Sequence, residues 1–205
     1  MINNRVSLGF DLRIAPSVQN VRSREKSFLV PQNVSPISAD PGVWPTSEEV
    51  GTRWTGLLPD FLNPLYLAPS LDRLVDAYAS EGVPISNLHP MCVTSDPTIT
   101  ISLNKRFGSG YFEDQYAEND LLSKGWQFRG FDVVDLDGLI SGLKDCDYSE
   151  PTWSQLRQYY GDQLNDDGLF FDAMVASRFA EVRGLEIRQH APFVVVGILT
   201  KDQIA

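Results

Sequence analysis

The sequence predicts an α+β fold in a single domain, residues 1–205, with mixed helices and a mainly antiparallel sheet. Segments with strand periodicity and segments with helix periodicity both occur, but they do not alternate as they do in doubly wound α/β proteins. The chain is 42% hydrophobic and 21% charged over 205 residues. This composition is typical of a globular protein with a sizeable core.

The first element is a predicted strand at residues 6–14, where apolar and polar residues alternate with a period of two. It ends before Pro16. Residues 16–56 are rich in serine, asparagine and proline, which predicts a long irregular segment. Because Trp44 and Trp54 would leave large apolar areas in water, we expect this segment to pack on the body of the domain.

The middle of the chain contains a well-marked helix at residues 71–80. Ser70 can cap its first turn, and Gly82 stands where a left-handed residue often ends a helix. The run TITISL alternates as a strand does. The predicted elements that follow are a strand at 98–103, a short helix at 111–123 and a strand at 126–134.

The last part of the chain contains more helix than strand. A helix is predicted at 169–182, with a buried stripe formed by Phe171, Val175, Phe179 and Val182 and an end at Gly184. No internal repeat is evident at any period. The other predicted elements are a short helix at 136–143, a helix at 152–164 and a buried strand at 193–200, where the run FVVVGILT is rich in β-branched residues.

The net charge of −10 is concentrated in one part of the chain. Residues 111–172 contain 14 acidic and 4 basic side chains, whereas the segments before and after them carry net charges of −1 and +1. An acidic protein, with a pI near 4.6, lacks the basic surface that nucleic acids and anionic membranes require. The charge therefore argues against both partners and favours a basic protein as the partner.

Targeting and cofactor signals are absent from the sequence. No signal peptide and no apolar run long enough to cross a membrane are present, which predicts a cytoplasmic protein. Calcium binding would need an oxygen ligand at the fifth position counted from Asp135, where the chain has Leu139. Two cysteines and two histidines lack zinc-site spacing, and the glycines near residues 108–110 lack phosphate-loop spacing. We therefore predict neither a metal nor a cofactor.

Catalysis by a cysteine is the alternative that the sequence leaves open. A small hydrolase or transferase would use Cys146 or Cys92 as nucleophile, with His190 as base. Neither cysteine carries a local nucleophile signature, and two cysteines are too few for a disulfide framework. Buried free thiols are the simpler interpretation, and the chain is not predicted to be an enzyme.

Three segments together resemble a known kind of protein. They are WQFRGFDVVDLDGLISGLKDCDY at 126–148, NDDGLFFDAMVASRFAEV at 165–182 and HAPFVVVGIL at 190–199. Their order is similar to that of bacterial immunity proteins of contact-dependent inhibition and related polymorphic toxin systems. These often have a GYDVAD-like strand, an SGLxNCGY-like turn, a helix and a HAPF-like entry into a last strand. The resemblance covers about the last 80 residues.

The resemblance implies a small cytosolic inhibitor that covers a cognate toxin domain and needs no catalytic residues. A nuclease is the favoured toxin class, because its basic groove would accept carboxylates in place of phosphates. Tyr148, Trp153 and Tyr159 are possible aromatic anchors. Asp132 and Asp135 are expected to be hydrogen-bonded within the fold. The predicted partner-binding residues are Asp132, Asp135, Asp137, Asp145, Asp147, Tyr148, Glu150, Asp166 and Asp167.

Overall fold

The computed structural model has the predicted α+β class, with helices and a four-stranded antiparallel sheet in the order β1-β2-β4-β3. It describes residues 4–14, 29, 37, 39, 62–80, 82, 85–86, 88–108, 110–112, 115–144 and 152–202. The strands are β1 (Val6–Ile14), β2 (Leu88–Ser95), β3 (Gln127–Asp135) and β4 (Phe193–Thr200). The α-helices are α1 (Leu71–Ser80), α2 (Pro97–Phe107), α3 (Glu118–Ser123), α4 (Thr152–Tyr160) and α5 (Ala173–Glu186).

The structure confirms the elements whose apolar residues have a regular period or whose ends carry clear start and stop residues. The predictions for β1, α1 and β4 are confirmed, and β3 is shifted by one residue. The helix predicted at 152–164 is α4 followed by a 3-10 turn at Gly161–Gln163. Strand β2 was not predicted, because its residues are buried on both faces and therefore show no alternation.

The strand predicted at 98–103 is wrong, because these residues belong to helix α2. Asp96 caps the helix by accepting hydrogen bonds from the Thr98 backbone N–H (2.9 Å) and from Thr98 Oγ1 (2.6 Å). Pro97 follows at the first helical position, where its fixed φ suits a helix. A strong local start signal therefore overrides the strand-like alternation of β-branched residues.

The Asp96 cap makes stability depend on pH. The two hydrogen bonds from Thr98 hold the pKa of Asp96 below its usual value. A lowered pKa in the folded state stabilises the protein above about pH 4, and this contribution is lost as the pH falls through the lowered pKa. We expect Asp96→Ala to cost about 1 kcal/mol at pH 7. In urea unfolding, the difference from wild type should shrink below pH 4; a difference that persists at pH 2 would contradict the assignment.

Three further predictions are corrected. The helix predicted at 111–123 is shorter and begins at Glu118. Residues 136–143 form turns, because Asp135 binds their backbone N–H groups. Helix α5 begins only after its cap Asp172 and passes through Gly184 to Glu186. Its buried face consists of Ala176, Phe179, Ala180 and Arg183. The predicted stripe is therefore confirmed at Phe179 and wrong at Phe171, Val175 and Val182, which are not buried.

The chain divides into two compact units. The first comprises residues 1–15, 45–128 and 197–205, and the second comprises 16–44 and 129–196. One core cluster of the first unit packs β1 against α1 through Leu12, Leu74 and Tyr78. In the second unit the rings of Tyr160, Phe170 and Phe179 pack within 5.0–6.2 Å of one another, centroid to centroid.

A compact hydrogen-bonded motif ties a turn to β1 in the first unit. The Asn63 side chain donates to the Leu8 carbonyl (2.8 Å) and accepts from the backbone N–H groups of Leu65 and Leu67. Phe10 and Ala68 exchange two backbone hydrogen bonds. Helix α1 then begins at the eighth residue after the asparagine. One asparagine side chain thus orders both the strand and the entry to the helix.

The second unit repeats this motif bond for bond. The Asn165 side chain donates to the Arg129 carbonyl (2.6 Å) and accepts from the N–H groups of Asp167 and Leu169. Phe131 and Phe170 exchange the two backbone bonds. Helix α5 again begins at the eighth residue after the asparagine. The expectation of no internal repeat is therefore wrong; the tripeptide GFD at 9–11 and 130–132 is its clearest trace in the sequence.

Most of the long segment at 16–56 lies outside the described residues. Three described positions have defined contacts. Leu29 donates its backbone N–H to the Leu143 carbonyl, and Ile37 donates to the carbonyl of Asp167. The backbone N–H of Ala39 donates to Asp132. Both Leu29 and Ala39 are buried.

Candidate functional site

Two of the predicted partner-binding carboxylates are buried. Asp132 and Asp135 have no exposed surface. Asp132 accepts hydrogen bonds from the Val133 N–H (2.8 Å), from Ser141 Oγ (2.8 Å) and from the Ala39 N–H (3.2 Å). The expectation that these two side chains are hydrogen-bonded within the fold is confirmed. In this conformation neither side chain can touch a partner.

Asp135 organises the turn that follows β3. Its Oδ1 accepts from the N–H groups of Asp137, Gly138 and Ile140, at 3.0–3.3 Å. Its Oδ2 lies 3.0 Å from His190 Nδ1. A buried carboxylate that already has four partners positions a loop and a histidine. By contrast, the side chain of Asp137 is exposed.

The predicted carboxylates of the NDDG turn differ in exposure. Asp167 forms a bidentate ion pair with Arg129, at 2.7 and 2.8 Å, and is half-buried. Asp166 is exposed. The remaining predicted contacts, which are Asp145, Asp147, Tyr148 and Glu150, lie outside the described residues, as does Cys146.

The segments that carry the family resemblance meet in one hydrogen-bonded framework. Asp132 of GFDVVD accepts a hydrogen bond from Ser141 of SGLK, and Asp135 is hydrogen-bonded to His190 of HAPF. Asn165 of NDDG binds the backbone beside Gly130. These motif residues therefore maintain the fold of the second unit.

A groove with a volume of about 470 Å³ lies between α4 and α5 in the second unit. We call it the α4–α5 groove. Its size is within the range of about 300–1,000 Å³ that is typical of ligand sites. The residues that line it are Thr152, Gln155, Leu156, Tyr159, Tyr160 and Gln163 on one side and Val175, Arg178, Val182 and Glu186 on the other.

Large apolar side chains are exposed at and beside the groove. Tyr159 is 72% exposed, Met174 68% and Phe171 67%. Phe171 donates its backbone N–H to the carbonyl of Gln163, a lining residue. Tyr159 is therefore accessible at the surface, whereas Trp153 is buried and cannot be an anchor. Clustered exposed apolar residues are typical of interaction sites.

Sequence reasoning missed the contribution of α5 to this surface. Val175 and Val182 were assigned to a buried stripe, although both line the groove. The cap excludes Phe171 from the helix, since Asp172 accepts hydrogen bonds from the N–H groups of Met174 (2.7 Å) and Val175 (3.1 Å). A helix that begins after Asp172 buries Ala176 and Phe179 and turns Met174 outward.

Exposed carboxylates accompany these apolar side chains. Asp162 lies on the 3-10 turn beside Gln163, and Asp172 caps α5. The backbone hydrogen bond between residues 163 and 171 brings the segments that carry these two carboxylates side by side. Both side chains are exposed, like that of Asp166. Neither Asp162 nor Asp172 was among the predicted contacts.

Cys92 has no access to a substrate. It is fully buried in a cluster with Phe10, Leu121, Trp126 and Leu199. Burial, followed by the charge of Glu118, raises the pKa of its thiol well above the usual value. Since the thiolate is the nucleophile, this environment opposes catalysis by Cys92.

No group of three metal-ligating side chains occurs among the residues that the structure describes. Within the same residues, no helix is both long and apolar enough to span a membrane. Comparisons with family models, with curated proteins and with solved structures gave no match.

Proposed function

We propose that this protein is a cytoplasmic immunity protein that binds and neutralises a cognate basic toxin domain, with a nuclease as the favoured class. One observation carries the proposal: exposed aromatic and aliphatic side chains lie among exposed carboxylates on residues 159–174. The similarity of three segments to immunity proteins of polymorphic toxin systems points in the same direction.

The chemistry of this surface suits a basic protein. A nuclease must present cationic side chains to the phosphates of its substrate. Carboxylates on an inhibitor can pair with those cations and speed association, while large aromatic side chains contribute most of the affinity. Tyr159 and Phe171 provide the aromatic contacts, and Asp162 and Asp166 provide the negative charge.

The test uses the full chain and the toxic domain encoded by the neighbouring gene. We expect a complex at micromolar concentration and loss of nuclease activity on mixing. The double variant Asp162→Lys/Asp166→Lys should weaken binding at least about tenfold, as expected when like charges meet across an interface. The matched control is Asp120→Lys, which reverses an exposed carboxylate on α3. No complex and no inhibition with the wild-type chain would refute the proposal.

A cysteine-dependent hydrolase or transferase is the second candidate. The observation that favours it is the position of His190, whose Nδ1 faces the buried carboxylate of Asp135 at 3.0 Å, as an orienting carboxylate faces a general base. Cys146 would be the nucleophile. Under this alternative Cys146→Ser abolishes function, whereas an inhibitor carrying Cys146→Ser keeps its full affinity for the toxin.

A further inference from the structure

We propose that the α4–α5 groove is the docking site for an amphipathic, net basic segment of the partner protein. The inference rests on the proposed function for the identity of that partner. Three features of the chain indicate the chemistry of the occupant: the internal repeat, the lining of the groove and the surrounding charge.

The repeated motif provides a comparison within one molecule. Because α1 and α5 begin at the same distance from their asparagines, Asp72 corresponds to Met174 and Arg73 corresponds to Val175. Asp72 and Arg73 are exposed. The motif thus forms with charged residues at these two positions, so forming the helix does not require the apolar pair. Exposure of 68% at Met174 shows that packing within the second unit does not require that side chain either.

The lining of the groove suits the apolar side of a peptide. Leu156, Tyr159 and Tyr160 on α4 face Val175 and Val182 on α5. Two helices that leave an apolar groove between them commonly accept the apolar face of a third helix or an extended segment. The volume of about 470 Å³ accommodates a few large side chains rather than a whole domain.

Exposed carboxylates outnumber exposed cations on the segments around the groove, which favours a basic occupant. Carboxylates at Asp162, Asp172, Glu181 and Glu186 are on segments that form or flank the groove. The exposed cations on the same segments are Arg157, Arg178 and Arg188. Of all these charged side chains, only Arg178 and Glu186 line the groove itself. A segment with lysine or arginine beside its apolar residues would gain ion pairs with Asp162, Asp172 and Glu181, so a basic segment is favoured over an acidic one.

The first test measures this selectivity without the toxin. The ¹⁵N-labelled full chain is titrated with two synthetic amphipathic peptides, one of leucine and lysine and one of leucine and glutamate in the same order. We expect the lysine peptide to shift the amide resonances of α4 and α5, with an affinity that falls as salt is added. The glutamate peptide should leave them in place. Equal shifts with both peptides, no shift with either, or shifts elsewhere in the chain would overturn the inference.

The second test removes exposed apolar side chains without adding charge. Met174→Ser, beside the groove, and Tyr159→Ser, in its lining, each replace a strongly exposed side chain, so the fold should tolerate both. We expect each variant to bind the lysine peptide and the toxin domain at least about tenfold more weakly than wild type. Ile101→Ser, at an exposed position on α2, is the control and should bind as wild type does. An unchanged affinity of both groove variants for the lysine peptide would overturn the inference.

The two proposals fail in different ways. If the wild-type chain binds the toxin domain and both groove variants bind it equally well, the docking site lies elsewhere and the proposed function stands. If the lysine peptide occupies the groove but the toxin domain is neither bound nor inhibited, the docking chemistry stands and the proposed function is refuted.

Discussion

Gly130→Ala should destabilise the protein by about 3–5 kcal/mol, because overpacking and a strained backbone each cost about 1–3 kcal/mol. Gly130 has a φ of +147°, which L-residues rarely adopt. A Cβ at this position would lie 2.7 Å from the Leu169 Cβ and 3.0 Å from the Phe170 carbonyl oxygen. Both neighbours belong to the turn that Asn165 holds in place, so neither can move freely.

Gly9→Ala should have a similar effect, because Gly9 occupies the same position in the first unit. Its φ is +148°, and a Cβ would lie 2.6 Å from the Leu67 Cβ. The loss is measured as a lower midpoint of urea unfolding for each variant. Gly184→Ala is the control: it lies within α5 with open space around it, and alanine there should stabilise the helix by up to about 1 kcal/mol. If the midpoints of Gly9→Ala and Gly130→Ala match that of wild type, the motif is wrongly described.

The sequence predicts those elements whose signals are local and mutually consistent. Strand β1 alternates cleanly, and α1 has both a cap and a stop signal. Helix α2 was missed because its β-branched residues alternate as in a strand, while its start depends on two residues, Asp96 and Pro97. At residues 98–103 the helix cap at Asp96 outweighs the strand-like alternation, and the segment is helical.

The candidate site was less predictable, because its geometry depends on contacts between distant residues. A count of carboxylates cannot distinguish Asp132, whose partner Ser141 satisfies it inside the fold, from Asp166, which is exposed. The apolar part of the surface was missed because some of it was assigned to a buried stripe. Had Asp172 been taken as the cap of α5, Phe171 would have been placed outside the helix.

The internal repeat is hard to detect in the sequence because the two copies of the motif have few residues in common. The two copies share a glycine, an asparagine and a leucine four residues after the asparagine, which are Gly9, Asn63 and Leu67 in the first unit. The segments inserted between strand and asparagine, 15–62 and 136–164, differ in length and composition. The function of each half can therefore diverge, since the outer face of the helix is not constrained by the motif.

The second large effect is expected at Glu118, which belongs to the acidic residues 111–172 in sequence but is neutralised inside the first unit. Its carboxylate accepts from Arg5 Nε (2.7 Å) and Nη2 (2.6 Å), and from Thr94 Oγ1 (2.7 Å). The Glu118 and Arg5 side chains are only 11% and 13% exposed. Glu118→Ala removes the carboxylate and leaves the guanidinium buried, which should cost about 3–5 kcal/mol.

Replacing both members of the Arg5–Glu118 pair separates the cost of an uncompensated buried charge from the net contribution of the ion pair to the free energy of unfolding. Arg5→Met/Glu118→Leu keeps the volume and removes both charges, so we expect it to recover most of the stability that Glu118→Ala loses. Asp120→Ala, at an exposed acid on the same helix, should change the free energy of unfolding by less than about 0.5 kcal/mol. A double variant as unstable as Glu118→Ala would show that the pair is needed for the fold, whereas recovery would show that Glu118 is tolerated because Arg5 neutralises it.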